Sequence, residues 1–124
     1  MRSASLSIKV FGIYLIVTGL TLMVAPNFLL ALFGFVPATE IWVRVLGVLA
    51  IVTGYHYWAC GAANATAFFV ATITGRLGFF VLCLGLVWFA EAPKMLLAFG
   101  VVDLLGAAWT AVALRSQMVG QTAA

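Results

Sequence analysis

Apolar residues fall in four stretches along the chain, approximately Leu6 to Ala25, Ile41 to Cys60, Thr66 to Ala90 and Met95 to Leu114. Each approaches the roughly 20 residues, at about 1.5 Å per residue, with which a helix crosses about 30 Å of hydrocarbon. The pattern predicts an all-α membrane protein, a four-transmembrane-helix bundle forming a single domain over residues 1–124. Between the first two stretches, Pro26 and Pro37 bracket a short apolar segment, Asn27 to Phe35, too short to span and expected as a helix at the interface. Thr39, followed by Glu40, is the expected N-cap of the second span. Gly61 to Asn64 reads as a tight turn, Glu91 to Pro93 as another with Pro93 in the first turn of the fourth span, and the polar tail after Arg115 as frayed.

Composition agrees with the pattern. The chain is 66% hydrophobic and 7% charged, whereas a soluble domain carries about a quarter charged residues. Too little polar surface exists to coat such a core, so the lipid bilayer is the expected covering. The formal charge of +3 comes from cations scattered singly, which argues against nucleic acid, a polyanion met by clustered Lys and Arg. Arg2, Lys9 and Arg115 gather on one side without an acid, while the other side mixes Glu40, Glu91 and Lys94. The positive-inside tendency then puts both termini in the cytoplasm of a bacterial inner-membrane protein, with Trp42, Trp88, Tyr55, Tyr57 and Trp58 as interfacial belts. The first helix is expected to be retained, because its apolar stretch is long for a signal peptide and Pro26 would be the first residue after cleavage at Ala25. Cys60 and Cys83 lack metal-site spacing and read as small apolar fillers.

The two halves resemble each other. Lys9 to Pro26 and Arg76 to Pro93 both span 17 positions, and APNFLLA at 25 to 31 matches APKMLLA at 92 to 98. RVLG at 44 to 47 resembles DLLG at 103 to 106. These matches suggest a tandem repeat of a two-helix unit, a device common in membrane proteins. The first copy would carry an extra segment around Phe35 to Ile41.

Gly12 and Gly19, Gly47 and Gly54, and Gly78 and Gly85 are each seven apart, with Gly100, Gly106 and Ala107 a less regular set. Seven-residue spacing keeps glycine on one stripe, and small residues let helices approach where lipid supplies no drive for association. All of these stripes are expected to face other helices. Lys9, Arg44 and Asp103 stand three residues before Gly12, Gly47 and Gly106, on the same faces, so their charges should point into the bundle; Arg76 sits at the edge of its stripe.

Asp103, Arg76 and Arg44 fall at similar depths, and together they form the candidate ligand-binding cluster. One reading is an Arg76 to Asp103 bridge that locks two helices, with Arg44 snorkelling outward. The other is that one carboxylate between two guanidiniums leaves a surplus positive charge for a lipid, a quinone or a small acid to complete. His56, flanked by Tyr55 and Tyr57, has no acid one helical turn away and reads as a belt residue; the threonines at 18, 21, 53, 72, 74 and 110 can bond to their own helices. No phosphate loop, metalloprotease motif or serine elbow is present.

The layout of four short helices, with Trp42, Arg44 and Gly47 as WxRxxG at the start of the second span, resembles the DoxX-like group of small bacterial membrane proteins. That resemblance implies a four-helix membrane fold and, for some members, quinone-linked sulfur oxidation or redox partners. The small multidrug exporters are similar in size, but carry a glutamate in their first helix, and none lies between Leu6 and Ala25. Three classes of function follow: a scaffold or accessory subunit binding a lipid, a quinone or a partner's transmembrane helix; a small transporter of a polar or anionic solute, alone or as a homo-oligomer; and a membrane-embedded redox enzyme subunit. The first is favoured over enzyme activity because no acid and base pair sits together, and the residues specify no cofactor.

Overall fold

The computed structural model describes the backbone of residues 2–123 and the side chains of residues 3–118. Its helices are α1 (Arg2–Val24), α2 (Pro26–Leu32), α3 (Trp42–Ala62), α4 (Thr66–Phe89) and α5 (Leu96–Ala123). Four of them, all but α2, are long and apolar enough to cross a membrane. The side chain of Arg2, one of the three cations used to orient the chain, lies outside the described residues.

The breaks follow from backbone chemistry. Pro26 cannot donate the amide that would continue α1, so it opens α2 at the first helical position instead. Gly34, at φ +76°, ends α2: its amide donates to Ala31 O and that of Phe35 to Leu30 O. Asn64 does the same for α3 at φ 52°, with its own amide on Gly61 O and that of Ala65 on Cys60 O. The linker between α2 and α3 is pinned where the Ala38 amide donates to Asn27 Oδ1 at 2.7 Å.

Three boundaries differ from expectation. Ile41, not Thr39, caps α3, and Glu40 instead accepts a hydrogen bond from the Trp42 indole. Pro93 lies before α5 in a turn, with its carbonyl accepting from the Leu96 amide. The backbone after Arg115 stays helical to Ala123.

α1 packs most extensively on α3, and α4 on α5, while α1 also contacts α5. The α1–α3 seam is antiparallel and steps by sevens: Ser5 meets Gly61, Gly12 meets Gly54, and Gly19 meets Gly47. A Cβ built on Gly12 would come 2.7 Å from Gly54 O, and one on Gly54 2.6 Å from Gly12 O, inside any real contact distance. Only glycine allows two helix backbones this close, where dispersion and weak Cα–H···O contacts replace the missing hydrophobic drive.

The α4 stripe is a correction. A Cβ built on Gly75, Gly78 or Gly85 would meet nothing within 4 Å, so this face is turned away from the rest of the chain. α4 buries Phe69, Thr72, Arg76 and Cys83 instead. Seven-residue spacing determines which residues share a face but not which face a neighbour covers.

The interior mixes polar and apolar side chains, and the exterior is apolar. Ser5, Ser7, Thr72, Arg76, Asp103 and Thr110 are buried, whereas Val81, Leu82, Trp88 and Phe89 of α4 and Val17, Val45 and Leu49 of the α1–α3 pair are exposed. Lipid is the solvent in which such an exposed surface is stable. Near the N-terminal end of α1, Ala4, Ile8, Phe69 and Ala113 form an apolar plug with Tyr57, Phe68 and Leu114 packed on it. Tyr57 is half-buried and packs on this plug, its ring edge-on to Phe68 at 5.1 Å, whereas Tyr55 and Trp58 are exposed.

Candidate functional site

Arg76 is the organising side chain of the interior, 2% exposed. Its position is set locally by Thr72, one helical turn earlier on the same face of α4. Arg76 Nε donates to Thr72 O at 3.3 Å, and Nη2 donates to Thr72 Oγ1 at 3.1 Å. Nη2 also donates to Thr110 Oγ1 of α5 at 2.9 Å. The Thr110 hydroxyl pairs with Ser7 Oγ of α1 at 2.7 Å and donates to Gly106 O at 3.0 Å. A single path of hydrogen bonds thus ties α1, α5 and α4 together at one level. In hydrocarbon, where water cannot substitute for a lost partner, such a path holds helices in register.

The guanidinium also lies against the Phe11 ring, with Cζ 4.8 Å from its centroid and 6.0 Å from that of Tyr57. Phe11 in turn packs on Tyr57 at 5.2 Å and on Tyr14 at 5.3 Å. Nη1 is buried and has no hydrogen-bond partner among the described residues. A Cβ on Gly106 would sit 2.9 Å from Nη1 and 3.1 Å from the Phe11 ring, so glycine there is what lets the guanidinium reach α5.

Asp103, 8% exposed, lies one turn from Gly106 on α5. It is buried, as Arg76 and Cys83 of α4 are. Among the described residues, however, no Arg or Lys nitrogen lies within 4.0 Å of a carboxylate oxygen, so the expected Arg76–Asp103 bridge is not formed.

Arg44 is not part of this cluster. It is exposed and donates through Nη1 to the carbonyls of Met23 and Val24 at the end of α1. Cations at a helix C-terminus satisfy orphan carbonyls and the helix dipole together. Met23 and Phe11 are 12 residues apart on α1, which separates Arg44 from the Arg76 level by about 18 Å. Lys9 is half-buried, its stem against Gly61 and its Nζ 5.3 Å from the Trp58 ring centroid. Among the described residues, the buried charges near Arg76 are therefore one cation and one carboxylate, with the half-buried Lys9 turned to Trp58, and not the two guanidiniums on one carboxylate expected from the sequence.

Beside the cluster, α1 and α5 leave an open groove of about 230 Å³. Val10, Tyr14, Val102 and Trp109 line it, and Phe11 and Gly106, the same two residues that cover Arg76, form part of its wall. Nothing in the residue pattern points to Phe11, Ser7 or the groove as parts of a site. The signal for Thr72 is its spacing from Arg76. Thr110 has no such signal: its bond to its own helix is the ordinary one, and its second role depends on α5 facing α4. His56 is exposed, and no cluster of three potential metal ligands exists among the described residues. Compared with protein-family models, with curated proteins and with solved structures, the chain matches none.

Proposed function

We propose that this chain is a small multi-pass protein of the bacterial inner membrane, with both termini cytoplasmic, that serves as a helical scaffold or accessory subunit. It holds a lipid, a quinone or a partner's transmembrane helix at the buried Arg76 and Asp103. The observation that carries this reading is the fully buried Arg76 Nη1, which lacks an acceptor and sits behind the wall of an open groove between α1 and α5. A buried guanidinium nitrogen without an acceptor is costly, and an oxygen-bearing occupant removes that cost. The resemblance to the DoxX-like group accords with such a role. The tandem-repeat reading gains support from the pairing of α1 with α3 and of α4 with α5, and from Gly47 and Gly106, matched in the repeat, both standing at close contacts.

Native mass spectrometry from gentle detergent tests the proposal. The wild-type chain is expected to carry a defined small molecule or a partner chain that Arg76→Leu and Asp103→Asn lose, while the double variant still folds. If each single variant unfolds, and the double restores stability with the bound mass unchanged, the cluster is structural and the proposal fails.

A further inference from the structure

The interior charge, the depth of Arg76 and the size of the groove together narrow the occupant. With Arg44 occupied at the end of α1 and the half-buried Lys9 held over the Trp58 ring, the buried charges Arg76 and Asp103 are one cation and one carboxylate and balance each other. An anionic head would leave a net charge at hydrocarbon depth, which costs more than a neutral acceptor placed there. The guanidinium has already committed Nε and Nη2 to Thr72 and Thr110. One nitrogen, Nη1, is left with its two diverging N–H groups, so an oxygen can accept from it, while a fork-on-fork carboxylate or phosphate has no second nitrogen to meet.

Depth excludes the polar end of an ordinary phospholipid. Phe11 lies eight residues beyond Ser3, the first residue of the candidate span, about 12 Å along α1, a level inside the apolar layer when that span crosses it, whereas charged headgroups lie outside that roughly 30 Å layer. The groove is also small: about 230 Å³, compared with about 150 Å³ for a cavity that holds benzene. It has room for a ring or a short length of chain next to one polar atom.

We infer that the Arg76 site takes an uncharged hydrophobic molecule bearing a carbonyl-type oxygen, which approaches from the acyl chains through the α1–α5 groove and reaches Nη1 when the Phe11 ring turns aside. The inference rests on the proposed function and specifies its ligand class. Phe11 closes the path by covering the guanidinium with its ring face, a weak cation–π contact at the nitrogen that has no acceptor. Gly106 keeps the rest of the wall thin. A ring that must move before binding lowers affinity by the fraction of time it is displaced, so shortening it strengthens binding.

Three probes of equal chain length, 2-tetradecanone, tetradecanoate and tetradecane, separate the alternatives with the whole chain in lipid nanodiscs. Bound probe is counted by native mass spectrometry and its effect on thermal unfolding is followed in parallel. The ketone is expected to bind one per chain, at least tenfold more tightly than either the carboxylate or the hydrocarbon. Arg76→Gln should weaken it at least tenfold, and so should Val102→Trp, which fills the groove from a lipid-exposed position and leaves Arg76 and its partners Thr72 and Thr110 in place. Phe11→Leu should strengthen it several-fold. Preference for tetradecanoate that depends on Arg76 overturns the uncharged class while leaving an amphiphile at this site. Ketone binding indifferent to Val102→Trp overturns the route. If no probe binding responds to Arg76 and the wild type carries no bound mass, both the inference and the proposed function fall.

Discussion

Gly19 and Gly47 meet backbone to backbone, so closely that a Cβ on the first would lie 2.5 Å from the carbonyl oxygen of the second, and one on the second 2.6 Å from that of the first. Gly12 and Gly54 repeat the relationship two turns away. Gly47→Val is therefore expected to separate α1 from α3 and cost about 2 kcal/mol or more, as overpacking does. Gly78→Ala, on the open face of α4, should be neutral or stabilise by up to about 1 kcal/mol through helix propensity. Thermal unfolding in one detergent compares the two; equal losses would contradict the seam.

Thr110 accepts from Arg76 while Thr21 bonds to its own helix at Val17 O. Thr110→Val removes an acceptor from a buried charged donor and the partner of Ser7, and should cost about 1–3 kcal/mol. Thr21→Val should stay within about 0.5 kcal/mol. Chemical unfolding of both variants checks the difference.

Arg44 closes the end of α1 and stands apart from the ligand cluster. Arg44→Gln is expected to lower stability by about 0.5–2 kcal/mol and leave retention of any bound molecule as in the wild type. Native mass spectrometry beside a melting curve separates the two effects; loss of the bound mass in this variant would place Arg44 in the site after all.

Glu91 occupies left-handed backbone, φ 56°, just beyond α4. Glycine adopts that conformation without the Cβ penalty of roughly 1 kcal/mol. Glu91→Gly should raise the unfolding midpoint by a few degrees, and Glu91→Val should lower it.

The spans are legible in the sequence because an unbroken apolar run of about 20 residues matches the thickness of hydrocarbon and little else. Pro26, Gly34 and Asn64 mark ends that only certain backbones allow. The α1–α3 seam can be read from glycines seven apart on two helices. The same spacing at Gly78 and Gly85 misleads, because periodicity defines a stripe and leaves open what covers it. Spacing alone puts Arg76 at a stripe edge, yet it is the most enclosed charge, since α4 turns its threonine face inward. Arg44 has in the sequence the spacing of an interior charge, yet it stands at the far end of α1. What distinguishes it is the free carbonyls at the end of α1, a feature of the break at Pro26 and of how α3 lies beside it.

α1 and α5 run antiparallel in contact at the level of Arg76, where Ser7 Oγ and Thr110 Oγ1 are 2.7 Å apart, and the enclosure of the guanidinium depends on that contact. Cysteines introduced as Ser7→Cys and Thr110→Cys, with Cys60 and Cys83 replaced by alanine, test it in native membranes treated with a lipid-soluble oxidant. Near-complete intramolecular disulfide formation is the predicted result, with none for Ser7→Cys paired with Gly78→Cys. Failure of the first pair to join while the second does would contradict the packing that encloses Arg76.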